Sequence, residues 1–576
     1  MIAIAALILS VAQTAKVAST AIAFTHVAII PMDRATETIL TDQTVVTSQR
    51  NITQIGPSSR IPLPNGTTVI DGKGKYLIPG LIDMNVRILS AQELPLYVAN
   101  GVTTVFNQDG QFAHLKWRNA VARGEMTGPN ILTTGPATYA YKNEADARQV
   151  VINQAKTGFD GVYIQPTTAP GVLTSMVSTS RQRGMLNVGQ MPRGCSLDDV
   201  LRSRMMISHA EEFLSNSLNQ PADMKAALNQ TAKQTAAAQA PVIATLVTYT
   251  HILRQATDLK SFLARTPTQY LAPWQRDAWQ AGTNEYQFRF AKRDAISTLQ
   301  NGLEVQKDLI RLIHRLGGVV LVGTDANNTG VVPGFSIIEE IQNLQKLGFS
   351  NYQALRAASA DSAVRLSLNK QFGSIAVGKR ADLVLLNSNP IADLSTLSNP
   401  AGVMVNGRWN SRETLKKNLN AIPSQYAALL QKGVNAMNNG PDALDAFVKD
   451  NDPQRQMTNP LFMQLVATKG EAGLSKFLNA VSAKNPTSRL ASENAVNNIG
   501  YWLMNTKKQA GLAVHVFQVN LARHPKSANM YDSLGEGYLT MGNKPKAIEL
   551  YRRAVQISPG FSNSVMMLKR LGATLK

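Results

Sequence analysis

Asp71-Gly72-Lys73-Gly74-Lys75-Tyr76-Leu77-Ile78-Pro79-Gly80-Leu81-Ile82-Asp83 divides the chain into two textures. Before it, from Ala23 to Ile70, short runs such as Ala28-Ile29-Ile30, Thr44-Val45-Val46 and Ile52-Thr53-Gln54-Ile55 are separated by Gly and Pro. Runs of that length and alternation, broken by residues that turn the chain, read as a small β-domain. After it, out to Phe372, apolar runs alternate with amphipathic stretches. The runs include Gly101 to Phe106, Gly161 to Ile164, Met205 to His209, Val242 to Val247 and Val319 to Asp325; helix candidates include Glu304 to His314 and Ile337 to Gln345. Repeated β-α units over this length predict one (β/α)8 barrel of the TIM type rather than two smaller domains.

The β texture returns from Ser374 to Trp409. Ala381 to Leu386 reads as a strand, and Val403-Met404-Val405-Asn406-Gly407-Arg408 as a strand and turn with an Asn-Gly corner, so the two β segments are expected to meet in space. Beyond Arg412 the chain reads as helices. Tyr531, Leu534, Gly535, Tyr538, Ala547, Tyr551, Ala554 and Pro559 fill the eight signature positions of a tetratricopeptide repeat, in which large and small residues interlock two antiparallel helices. Ala513, Phe517 and Pro525, 34 residues earlier, suit a looser repeat whose first helix is out of register. One repeat cannot bury its own face, so neighbouring helices must cover it.

Composition bounds the rest. With 44% hydrophobic and 17% charged residues in 576, the chain is a folded globular protein of several domains. Its formal charge is +20, and residues 413–576 carry 20 Lys and Arg against 10 Asp and Glu, so the tail is the more basic part. No aromatic-interleaved basic motif accompanies that surplus, and nucleic acid is not an expected partner. The single cysteine, Cys195, excludes an intramolecular disulfide and a thiolate metal cluster. Residues 2–12 form a short apolar run followed by small residues, as in a secretory signal, and it is too short to span a bilayer comfortably. Periplasmic or secreted location is expected, with cytoplasmic as the alternative, and no transmembrane span beyond that N-terminal segment.

The stretch from Asp71 to Asp83 resembles the entry into the first barrel strand of the amidohydrolase superfamily, in its prolidase and imidazolonepropionase-like branch. Gly373-Ser374-Ile375-Ala376-Val377-Gly378-Lys379-Arg380-Ala381-Asp382-Leu383-Val384 resembles the return from barrel to β-domain, Gly323-Thr324-Asp325 the end of strand 8, and Ser208-His209-Ala210-Glu211-Glu212 the end of strand 6. The resemblance covers Phe24 to Trp409 and implies metal-dependent hydrolysis of carbon-nitrogen bonds in non-peptide or dipeptide substrates. The organisation expected is a signal peptide (1–22), a composite β-sandwich (23–75 and 373–412), a barrel (76–372), a helical linker region (413–485) and tetratricopeptide-like repeats (486–576).

The resemblance also implies metal ligands at six positions: a His-x-His pair, a bridging Lys or carboxylate, two further His and an Asp. Imidazoles and carboxylates suit a zinc-like ion, which lowers the pKa of bound water towards ~7. Here those positions hold Asn85, Arg87, Tyr163, Gln190, His209 and Asp325. Only His209 and Asp325 match, and they are carried forward as vestigial or residual catalytic groups. Arg87 opposes a metal, because a guanidinium keeps its proton and repels a divalent ion nearby. No cofactor is therefore expected, with zinc as the alternative if the family site functions. His114, His251 and His314 read as surface or core residues, and Glu211 and Glu212 as acids that face solvent or pair with Arg.

Asn85, Arg87, Tyr163 and Gln190, with His209 and Asp325, are expected to line a polar pocket for a small anionic ligand, Arg87 supplying the charge that Asp325 would otherwise lack. Three functions follow, in order of preference: a metal-free pseudoenzyme or binding protein, a hydrolase using His209 and Asp325, and a scaffold binding a protein or peptide through its repeats.

Overall fold

In the computed structural model, residues 21–574 are described, except Tyr139, 453–456 and 485–487. The secretory-signal reading of residues 1–22 lies almost wholly outside the described residues; from Ala21 onward the chain is buried or enters a strand. Among the described residues no helix is long and apolar enough to cross a membrane.

The two β segments do meet. Tyr76–Pro79 pairs antiparallel with Leu383–Leu386, joining the N-terminal strands to Gly402–Val405 and Arg408–Ser411. The expected sandwich takes the form of one hydrogen-bonded sheet of eight strands that forks at Ile22–Ile29. The first half of that strand pairs with Thr68–Asp71 and its end with Tyr76–Pro79. Alternate residues Phe24, Val45, Leu77, Leu383, Leu385 and Met404 form its apolar side, where Trp409 meets Phe24 edge-on at 5.2 Å.

Eight strands between residues 81 and 321 run parallel. Leu81–Val86, Val102–Asn107 and Asn130–Thr133 form one sheet; Gly161–Ile164, Leu186–Gly189, Met206–Ile207, Val242–Ile243 and Val320–Leu321 form the other. Parallel bridges link the two at Thr134 to Gly161 and at Val86 to Ala326. Local chemistry sets the intervening helices: Asn143 caps Glu144–Thr157 by accepting from the Asp146 amide at 2.9 Å, and Gly158, at φ 93°, ends it.

One sequence expectation is corrected here. Val242 to Val247 is not a single strand, because pairing ends at Ile243 and Leu246–Thr257 is a helix. Buried Glu340 reaches across to accept the Leu246 and Val247 amides at 2.9 and 2.7 Å, satisfying donors at the new helix's first turn. An apolar run alone does not reveal such a remote acceptor.

The helices after residue 411 pack on the carboxyl-end side of the parallel strands. Arg412–Asn438 lies against Leu94–Ala99, with Tyr426 edge-on to Trp274 at 5.6 Å. Lys507 and Asp277 form an ion pair across the same boundary, as do Lys116 and Asp450. The described helices of the segment expected as a linker, 413–485, thus form a packed layer. Farther on, Ala528–Thr540 and Lys544–Ile557 interlock, and a Cβ on Gly535 would stand 3.0 Å from the Tyr551 ring. The same contact recurs one unit earlier, where Phe517 packs so closely on Gly500 that a Cβ would sit 2.2 Å from it. Glycine and ring are there one residue farther apart in sequence, and the helix widens into a π turn at Trp502–Thr506. A π turn takes up one extra residue, which accounts for the slipped register of the first helix.

Two buried carboxyls tie the first parallel strand to the last. Asp83 accepts from the Thr324 hydroxyl at 2.7 Å and its amide at 3.0 Å. Glu93 accepts from the Leu89 amide at 2.9 Å and the Asn327 side chain at 2.7 Å. Burial, only partly offset by those hydrogen bonds, pushes Glu93 up to about 8 from an ordinary 4.5. The folded chain therefore keeps this proton longer than the unfolded chain, and stability is lost as pH rises from about 4.5 through about 8. Glu93→Gln mimics the protonated acid. We expect its melting temperature to gain on that of the unsubstituted protein between pH 6 and pH 9; a constant difference would contradict the raised value.

Candidate functional site

The carboxyl ends of the parallel strands and the helical layer above them line a partly open cavity of about 590 Å³. Arg87, Gln190, His209 and Asp325 line it. Each follows or ends a strand, so the backbone ladder holds it at the mouth. Asn85 and Tyr163, expected in the same lining, instead lie buried behind it. Asn85 donates to the Ser208 carbonyl at 3.1 Å, and the Tyr163 hydroxyl accepts from Arg87 at 3.3 Å.

Arg87 and Asp325 face each other. Arg87 Nε stands 4.0 Å from Asp325 Oδ1, a charge contact rather than a hydrogen bond, and both atoms are buried without a hydrogen-bond partner among the described residues. The other Asp325 oxygen accepts from Asn328 at 3.1 Å. Burial works against the Arg87 charge, but the fields of Asp325, Tyr163 and Asp109 outweigh it and hold the guanidinium firmly protonated. Asp325 sits at φ 57°, a left-handed conformation seldom taken by a residue with a side chain, and such positions cluster at functional sites.

His209 places Nδ1 3.0 Å from the Thr245 hydroxyl. Burial pulls its pKa below the usual histidine value, with Asp325 opposing and Arg87 adding to the shift, so it is neutral at pH 7. Of the two expectations for the adjacent acids, exposure to solvent is not met, whereas Arg289 acts on Glu211 and Arg193 on Glu212. Glu212 is buried and accepts the Met191 amide at 3.0 Å. Burial pushes it up to about 7, against stabilisation by Met191, Gln190 and Arg193. Glu211 lines the cavity, and burial together with the charges of Asp325 and Glu212 pushes it up to about 8. The short 3-10 helix Ala210–Ser215 turns both side chains inward, a bend that an alternating pattern does not encode.

His114, His251 and His314, weighed above as surface or core residues, are accounted for by packing. His114 is buried with Nε2 2.8 Å from the Ile88 carbonyl, His251 contacts Glu339 at 2.8 Å, and His314 stacks on Phe349.

The donor set does not fit a catalytic metal. One imidazole and one carboxylate remain at the six implied positions, and the carboxylate already faces a cation. Among the described residues no group of three His, Cys, Asp or Glu is arranged to hold an ion. Three cavity residues come from outside the resembling region: Asn459, Pro460 and Trp502 of the helical layer. Trp274 and Trp279 descend from Pro273–Trp279, in the long connection between the last two parallel strands. No spacing signal points to any of them, because the fold alone brings these segments over the mouth.

Residues 300–410 match the profile of the Amidohydrolase family. The bottromycin amidohydrolase structure is 24% identical, with a TM-score of 0.57 and coverage of 70% of this chain and 90% of that one. A Xaa-Pro dipeptidase with bound methionine in the active site is 16% identical, with a TM-score of 0.53 and coverage of 68% and 100%. A. niger ochratoxinase is 15% identical, with a TM-score of 0.51 and coverage of 68% and 96%. At these identities the likeness establishes a shared mixed α/β fold, to which this chain adds its helical C-terminal part. No curated protein matches the sequence.

Arg87→His tests the charge pairing. The shorter side chain, neutral at pH 8, would leave Asp325 buried opposite no cation and would lose the Tyr163 contact. Because the Arg87 side chain is 41% exposed, the expected loss is roughly 1–3 kcal/mol, between the values for exposed and buried pairs. Chemical denaturation at pH 8 measures it, and an unchanged midpoint would contradict the pairing.

Proposed function

We propose that the chain is an amidohydrolase-fold pseudoenzyme: a (β/α)8 barrel that has exchanged a metal centre for a guanidinium-carboxylate pair and uses its mouth to bind a small organic ligand. The single observation that carries this reading is Arg87 facing Asp325 at 4.0 Å, where a divalent ion would need both places. A partly open cavity is present although the metal ligands are not, and buried polar atoms of Arg87 and Asp325 have no hydrogen-bond partner within the described protein. The likeness to the Xaa-Pro dipeptidase structure and the matched amidohydrolase segment support descent from hydrolases of carbon-nitrogen bonds.

Residual hydrolysis by His209 and Asp325 is the competing reading. A neutral imidazole near a carboxylate can act as a base, but such groups alone contribute only about 10²–10⁴-fold. The tetratricopeptide-like tail supports a second role. Its first helices roof the mouth, so any protein or peptide partner would engage the units from residue 528 onward. The apolar run at residues 2–12 supports export to the periplasm or beyond.

A panel of dipeptide, lactam, amide and ester substrates, assayed in chelator and again after adding zinc or manganese, tests the reading. We expect no turnover above the uncatalysed background under either condition. Turnover that appears with metal would overturn it, and turnover in chelator that is lost in Asp325→Asn would favour the residual hydrolase.

A further inference from the structure

We propose that the mouth cavity binds a neutral, polyhydroxylated molecule of sugar size, its hydroxyls pairing with polar groups of His209, Glu211, Gln275 and Asn459 that the protein leaves unpaired. This rests on the reading of the mouth as a metal-free binding pocket and specifies the ligand's chemistry.

The charged groups of the lining are already committed. Arg87 faces Asp325 and donates to the Tyr163 hydroxyl. Asp109 accepts the Ala137 amide at 2.8 Å, and its field joins that of Asp325 on Arg87. Glu211 keeps its proton at pH 7, because burial and the charges of Asp325 and Glu212 push it up to about 8. An entering cation would find no carboxylate to itself, and an entering anion would meet two carboxylates and an occupied guanidinium.

Hydrogen bonding is where the lining is incomplete. His209 and Gln275 are only 3% and 7% exposed, yet the Nε2 of each has no partner among the described residues. Both atoms stay accessible, whereas Arg87 Nε and Asp325 Oδ1 are sealed in. Each side chain is fixed by its other polar atom: His209 Nδ1 lies 3.0 Å from the Thr245 hydroxyl, and Gln275 Oε1 accepts the Ala272 amide at 3.1 Å. Glu211 and Asn459, in the same lining, make no hydrogen bond among the described residues. The 3-10 turn Ala210–Ser215, the helix Pro273–Trp279 and the roof helix Thr458–Lys484 thus bring unpaired groups to one cavity of about 590 Å³.

The choice of hydroxyls follows from what those groups need. Polar groups open to a cavity are hydrated until a ligand arrives, and a ligand that cannot replace water's bonds strands them. The amide nitrogens need an acceptor, the protonated carboxyl needs both roles, and the imidazole nitrogen needs whichever its tautomer dictates. A hydroxyl donates and accepts, so several on one compact frame meet all these needs together.

Backbone strain marks the same place. Asp109, Thr245 and Asp325 stand at φ 57°, 51° and 57°, each just past the end of a parallel strand. Left-handed residues with side chains concentrate at functional sites, and Thr245 is the residue that orients His209.

Saturation-transfer NMR and calorimetric titration of the full chain test the proposal. The neutral probes are glucose, galactose, mannose, maltose, cellobiose and myo-inositol; glucuronate and glucosamine are the anionic and cationic counterparts. We expect at least one neutral probe to bind, about tenfold more tightly than either charged sugar. Asn459→Leu removes no hydrogen bond to a described residue and should weaken that probe several-fold at an unchanged melting temperature. Gln275→Glu keeps the oxygen that holds the Ala272 amide, removes the amide donor, and should weaken it as well. Binding of no neutral probe, or binding of a charged sugar as tight or tighter, would overturn the ligand class. Sugar binding unchanged in both variants would overturn the site. Metal-dependent turnover in the substrate panel would instead overturn the metal-free reading beneath, so the two failures are distinguishable.

Discussion

A fixed positive charge stands at the carboxyl end of the first parallel strand, facing the carboxylate at the end of the last. Arg87 and Asp325 come from segments more than two hundred residues apart, and the bridge from Val86 to Ala326 holds them side by side. A guanidinium cannot yield its proton to make room for a metal, and moving it away would leave Asp325 buried without a counter-charge. On the proposed reading, the pair stands in for a divalent ion and gives the buried carboxylate its counter-charge. The neutral state of His209 and the raised value of Glu211 both reflect burial of these two groups beside Asp325.

The helical C-terminal part changes what that space is. With Asn459, Pro460 and Trp502 in its lining, the cavity belongs to two parts of the chain, and its walls are only partly those of the parallel strands. Ion pairs such as Lys507 with Asp277, and the contact of Tyr426 with Trp274, join the layer to the connection carrying the other two lining indoles. A layer of tetratricopeptide-like helices, as proposed, would usually expose its concave face to a partner. Here its leading helices are committed to the roof, and a ligand in the pocket would touch both parts.

Much of this was legible in the sequence because some residues have only one physical use. Asp83 and Thr324, both in stretches that carry the resemblance, bond to each other and set the strand ends together. Gly535 and Tyr551, a glycine and a ring at repeat-like spacing, do pack against each other between the two helices that carry them. Illegible features depend on distant partners. Val247 follows a strand pattern but joins a helix because Glu340 supplies the acceptor. Glu212 looks like a solvent-facing acid until the Met191 amide claims it. Asn85 and Tyr163 occupy recognisable positions yet face the wall behind the cavity, since strand position fixes where a residue sits but not which neighbour its side chain reaches. The three tryptophans of the mouth carry no motif and are gathered only by tertiary packing.

The central claim concerns one location, and diffraction at the zinc absorption edge addresses it most directly. In crystals grown with zinc present, the account predicts no anomalous peak between His209 and Asp325, with Arg87 keeping its place beside the carboxylate. A fully occupied peak there, with Arg87 swung away, would contradict it.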